Sequence, residues 1–155
     1  MQIVHYRGGV VTFAIPDNWI EDTDPDDEAG IFFEDAPDAG VFRLSVTTAR
    51  SPGPVTPEMV AELMAAFASE PGHTVEPLPN GNQLLHFRSD AHEEAKPLAI
   101  YFWLVGNPVP PDYARIANFS YTVHAEHADL PATQAVVAFL DQSIRSAMFS
   151  PTLGE

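Results

Sequence analysis

The stretch AIYFWLV, residues 99–105, carries the fold. In an extended chain successive side chains point to opposite sides, so Ile100, Phe102 and Leu104 share one face and Tyr101, Trp103 and Val105 the other. Both sets are apolar, which places this strand centrally in a sheet with cover on each side. Prolines at 97 and 108 bracket the run. It is far shorter than the roughly 20 residues needed to cross about 30 Å of hydrocarbon, so it reads as a buried strand.

Extended segments surround it. NQLLHFRSD (82–90) and HTVEPLP (73–79) precede it, and ARIANFSYTVHAE (114–126) follows, all joined by short, turn-rich links. Such links imply antiparallel neighbours. Further upstream, GIFFE (30–34) and GVFRLSVTTA (40–49) are two strands, and in the second Phe42, Leu44 and Val46 alternate with Arg43, Ser45 and Thr47. The chain opens with IVHY (3–6), the turn RGG, and VVTFAIP (10–16), a hairpin in which Gly8 and Gly9 supply the positive φ of the turn.

Two segments carry helical spacing instead. TPEMVAELMAAFA (56–68) starts with Thr56 as N-cap, Pro57 in the first helical position and Glu58 in the first turn, and places Val60, Leu63, Met64 and Phe67 on one stripe. DLPATQAVVAFLDQSIRSAMF (129–149) places Val136, Val137, Leu140, Ile144, Ala147 and Met148 on one face, with Asp129 as the expected cap. Both stripes must bury against the sheet. The expected class is therefore α+β: a mostly antiparallel sheet covered by helices on both faces, an α/β/α sandwich. It forms a single domain over residues 1–155, with a flexible tail at 150–155.

A strand ending in FAIPDNW (13–19), then a charged loop, paired strands, a helix, three strands and a final helix resembles the PsbP-like fold family. That family includes a photosystem II extrinsic subunit, the Ran-binding Mog protein and bacterial effector-loading chaperones of type VI secretion. The resemblance runs from about Val10 to Phe149. It implies binding or assembly roles and no shared catalytic residues. In physical terms Pro16 ends its strand by removing a ladder donor, and Trp19 offers a large apolar surface to cap the sheet edge.

The 155 residues carry 22 acidic and seven basic side chains, a net charge of −15. Such a field repels phosphates and anionic headgroups, so nucleic acid and membrane surfaces are not expected partners. There is no cysteine, which excludes disulfides, thiolate metal sites and a cysteine nucleophile. The N-terminus lacks the basic leader and apolar block of an export signal, and the expected location is cytoplasmic.

EDTDPDDEAG (21–30) concentrates six carboxylates. As a calcium loop it fails: Asp22, Asp24 and Asp26 take positions one, three and five, but Asp27 stands where glycine is needed and Phe33 where the bidentate glutamate belongs. A looser divalent site, a docking surface for a basic protein and a solvated loop stay open. Ten acids lie between Asp17 and Asp38 with no Lys or Arg, which favours docking over metal. The partner-binding candidates are Asp22, Asp24, Asp26, Asp27 and Glu28 from this loop. Tyr101, Trp103 and Tyr121 join them from an aromatic set, with Phe119, that either packs a core or lines a groove for a peptide or apolar helix.

HAEH (124–127) is half of a zinc deaminase signature whose cysteine half is missing. His124 and His127 also lack zincin spacing, although with His92 or Glu93 they form the residue set for a small metal-dependent hydrolase. No Gly-x-Ser-x-Gly elbow, P-loop or dinucleotide fingerprint is present. The reading that results is a non-enzymatic cytosolic protein-binding domain of chaperone or adaptor kind, without cofactor or metal, recognising a protein partner through the acidic loop or the aromatic groove. A toxin-immunity protein and the hydrolase are its rivals.

Overall fold

The computed structural model describes residues 1–22, 30–36, 39–66, 73–93 and 96–151. Strands β1 (Gln2–Tyr6) and β2 (Val11–Ile15) form the opening hairpin. Its turn takes positive φ at Arg7, Gly8 and Gly9, and the Tyr6 carbonyl accepts from the amides of Gly9 and Val10 at 3.1 and 2.9 Å.

Seven strands make the large sheet, in spatial order β3 (Trp19–Glu21), β4 (Gly30–Glu34), β5 (Val41–Arg50), β9 (Tyr113–His124), β8 (Lys96–Val109), β7 (Gln83–Glu93) and β6 (Glu76–Pro77). Every pairing is antiparallel. The architecture is thus α+β, mostly antiparallel, with two helices, α1 (Pro57–Ala65) and α2 (Pro131–Arg145).

The opening hairpin does not join this sheet. A short strand β10 (Met148–Phe149) pairs with β2, and β1, β2 and β10 stand as a separate three-stranded sheet. The expectation of one sheet under two helices is corrected accordingly. The small sheet and α2 share one face of the large sheet, so cover there is part strand and part helix.

Register explains what that face buries. Phe42 lies opposite Tyr121, Leu44 opposite Phe119, Tyr121 opposite Tyr101 and Phe119 opposite Trp103, so the rows run straight across β5, β9 and β8. Phe13 of the small sheet drops onto them edge-on, 5.7 Å from Phe32, 6.0 Å from Phe42 and 5.6 Å from Phe119. From α2, Leu140 and Ile144 are fully buried on the same side. The Ser143 hydroxyl accepts from the Ala14 amide at 2.9 Å and donates to its carbonyl at 2.7 Å, joining α2 to β2 beyond the residues that β10 pairs. The Trp103 indole N–H donates to Asp141 at 3.1 Å, so the one side-chain polar atom of the largest fully buried side chain is satisfied.

The alternate residues of β8 face α1. Val60 and Met64 close over Leu85, Ala114 and Ile116 in a smaller cluster. Gly106 is needed there, because a Cβ would run into the side chains of Val60 and Met64. The helix begins as its sequence dictates: the Thr56 hydroxyl accepts from the Met59 amide at 3.2 Å, and Pro57 follows. Leu63, expected in the buried stripe, is exposed, and Phe67 lies outside the described residues.

The second helix departs from expectation at both ends. Its N-cap is Leu130, with Pro131 next, and no side chain caps it; Asp129 does not. The helix stops at Arg145, and Met148, expected on its buried face, is exposed because the chain leaves to pair with β2. The Ser150 amide donates to Val10 at 3.0 Å, and its carbonyl accepts from the buried Arg115 guanidinium, whose pKa burial pulls down. The rest of the expected tail, 152–155, lies outside the described residues.

Candidate functional site

A cleft of about 350 Å³ opens where the β3–β4 edge of the large sheet meets the start of α2. Trp19, which follows the strand-ending Pro16, begins β3 and sits directly across from Glu34 at the end of β4. Its indole stacks on Tyr121 of β9, with ring centroids 5.9 Å apart at 18°. Gly40, just before β5, lies against that phenol, and a Cβ there would come within 2.5 Å of the ring. Sequence thus supplies a missing side chain where the backbone must pass close to Tyr121. The opposite wall is Leu130, Ala132, Thr133 and Val136 from the start of α2, with His127 from the preceding single turn (Ala125–His127).

Glu34 is the one carboxylate lining the cleft among the described residues, and no Lys or Arg lines it. It is exposed, and its Oε1 accepts from the Asn18 amide at 3.0 Å. Burial first, then the charge of Glu34, then Tyr101, push the Tyr121 phenol up to about 12, so it stays a neutral hydroxyl. The site therefore combines an anionic rim, a neutral phenol and apolar walls.

The other aromatic candidates are placed differently. Trp103 has no exposed surface and Tyr101 is 7% exposed, its hydroxyl accepting from Gln134 at 3.3 Å. Both lie in the core beneath α2. The aromatic surface that reaches solvent belongs to the alternate rows: Phe87 and Phe102, stacked at 5.1 Å, line a shallow depression of about 320 Å³ with Leu104, Ile116, Ser45, Thr47 and Asn118. Asn118 holds a buried side-chain oxygen with no hydrogen-bond partner among the described residues.

Of the acidic candidates, Asp22 is exposed and its amide donates to Ile31 at 2.8 Å, at the opposite end of the β3–β4 hairpin from Trp19 and Glu34. Asp24, Asp26, Asp27 and Glu28 lie outside the described residues. His124 and His127 meet edge-to-face at 5.8 Å. His92 does not join them. It pairs with Pro97 while His124 pairs with Leu98, and adjacent register rows point to opposite faces. Among the described residues no group of three or more His, Asp or Glu is placed to hold a metal.

Sequence reasoning missed the cleft itself. Its parts come from positions 19, 34, 40, 121 and 127–136; sequence singles out Trp19 through the Ile-Pro-x-x-Trp start, Tyr121 as a partner-binding aromatic and His127 as a metal candidate, without bringing them together.

No protein-family model matches the chain, and no curated protein matches its sequence. Solved structures similar in fold include the following three. LpqN of Mycobacterium tuberculosis, described as involved in cell envelope biogenesis, superposes with a TM-score of 0.64 at 11% identity over 91% of this chain and 83% of its own. A Bacteroides thetaiotaomicron VPI-5482 protein gives 0.60 at 15% over 92% of this chain, which spans only 46% of that one. A mutant of the protein Mog1 gives 0.56 at 13%, over 96% of this chain and 95% of Mog1. Among the described residues no helix is long and apolar enough to cross a membrane. At such identities the likeness speaks for architecture alone, and the architecture is the PsbP-like fold that this chain shares with Mog1.

Proposed function

We propose that the chain is a non-enzymatic, cytoplasmic protein-binding domain of chaperone or adaptor kind, a PsbP-like α/β/α sandwich whose partner is basic. One observation carries the reading. The Trp19–Tyr121 cleft is walled on one side by the β3–β4 hairpin, and the segment from Asp17 to Asp38 that contains this hairpin has ten acids and no Lys or Arg. A cleft with apolar walls and the Glu34 carboxylate at its edge, on a chain of this acidity, suits a protein surface bearing positive charge. The net charge of −15 works against nucleic acid and anionic lipid in the same measure.

The test is a pull-down of the native partner with wild type and with a variant in which Asp22, Asp24, Asp26, Asp27 and Glu28 are replaced by their amides. The variant is expected to lose most of the bound partner, and binding is expected to collapse as salt rises towards about 1 M, where the screening length shrinks to about 3 Å. Undiminished capture by the variant in high salt would remove the electrostatic basis of the reading.

A further inference from the structure

We propose that the cleft between Trp19, Glu34, Tyr121 and the first turns of α2 is a receptor for one arginine side chain presented by a protein partner. The inference rests on the protein-binding reading above and names the group that reading leaves open.

Three features select the occupant. First, the Glu34 carboxylate is exposed at the cleft, and its one hydrogen-bond partner among the described residues is the Asn18 amide, a neutral group. A carboxylate in that state has lone pairs left for a charged donor, and covering it with an apolar segment would strand a desolvated charge. An anionic occupant would meet Glu34 at the cleft and a net charge of −15 around it. Second, Val123, Leu130, Ala132 and Val136 give the walls, which also hold Thr133 and His127, an apolar stretch suited to a methylene stem whose charged head stays at the rim. Third, the stacked Trp19 and Tyr121 line the cleft together with Glu34, and Tyr121 brings a neutral phenol oxygen. The oxygen is a hydrogen-bond acceptor.

These features fit a guanidinium better than an ammonium. The guanidinium is planar, packs against aromatic rings, is more weakly hydrated, and offers a fork of N–H donors that can reach a carboxylate and a second acceptor at once. A lysine ammonium would give up more hydration to enter the same walls. A metal ion is poorly served, because the cleft offers one carboxylate where hard cations take several oxygen ligands.

The experiment titrates the isotopically labelled full chain with the capped tripeptide Ala-Arg-Ala, followed by amide chemical shifts. Parallel titrations use peptides in which citrulline, of the same shape without charge, or lysine replaces the arginine. Saturable shifts are expected at Glu34, Gly40, Tyr121 and Thr133, with citrulline weaker by about tenfold, the scale of one charge-assisted hydrogen bond, and lysine in between. Glu34→Gln should weaken the arginine peptide by about tenfold, whereas Glu62→Gln on α1 should leave it unchanged. Ala132→Phe, at an exposed helix position that fills the cleft, should abolish the shifts in a chain whose remaining spectrum is native.

Equal binding of arginine and citrulline, shifts scattered over the whole acidic surface, or indifference to Glu34→Gln would each overturn the proposal. The two readings separate on the native partner. A partner that binds Glu34→Gln and Ala132→Phe as well as wild type refutes the arginine cleft and leaves the protein-binding domain standing. A cleft that seats the tripeptide in a chain that captures no protein refutes the broader reading instead.

Discussion

The two faces of the large sheet are built from the same strands and have opposite fates. On one, Phe42, Phe119 and Trp103 have no exposed surface, sealed by Phe13 of the small sheet and by α2. On the other, α1 covers the end around Leu85, Ala114 and Ile116, while Phe87, Phe102 and Leu104 are only partly buried. Within β8 the change happens between one residue and the next. Apolar composition on both sides of a strand therefore says that both sides avoid water, without saying how completely either succeeds.

The contrast breaks most directly at adjacent residues. Trp103→Ala should cost about 3–5 kcal/mol in urea unfolding, a large part of the roughly 5–15 kcal/mol that holds an ordinary domain folded. Phe102→Ala should cost about 1 kcal/mol, because its ring is already partly in water. Equal losses would mean that the two faces are equally closed.

Alkaline titration sharpens the sealed face. Tyr121 has its phenol pushed up to about 12 from the usual 10 by burial and by Glu34. The folded state holds this proton more tightly than the unfolded chain does. Its contribution is full below pH 10 and is lost as pH rises to about 12, on the order of 2 kcal/mol. Glu34→Gln should bring the phenol's absorbance transition to lower pH. An unmoved transition would show that burial alone sets it.

The α1 face has its own test. Gly106→Val should cost about 1–3 kcal/mol by driving side chains into Val60 and Met64, and it should raise hydrogen exchange in α1 while α2 stays protected. Loss of protection in both helices would mean that the faces are not separable. The smallest effect belongs to Arg145, which bridges Glu76 at 2.7 Å and Asp141 at 2.9 Å and is about one-third exposed. Arg145→Ala should cost about 0.5–1 kcal/mol, most of it removed by added salt.

What sequence made legible follows the range of each signal. The start of α1 is a local event, written in Thr56, Pro57 and Glu58, and it is found where those residues place it. The long strands announce themselves by alternation. The strands β3, β6 and β10 have two or three residues each, too few for a period to show. Helical spacing runs on through Ala147 and Met148, yet the free edge of β2 captures Met148 and Phe149 as strand. That competition is tertiary and has no local mark. For the same reason the order of elements could not place the first hairpin outside the main sheet, nor bring Trp19, Glu34, Gly40 and Tyr121 into one cleft. The acidic charge was plain in the composition, but what it surrounds was not.

The pairing of β5 with β9, and the hydrogen bonds from Ala14 to Ser143, 129 positions later, set an order on the making of the molecule. The meander of β7, β8 and β9 can zip locally, whereas Phe32, Phe42 and Leu44 emerge from the ribosome long before β9, which pairs with β5, and α2, which packs in the same core. At roughly 5–20 residues per second, the first third of the nascent chain waits several seconds with its stickiest segments bare, which makes the early polypeptide a natural client for holding chaperones.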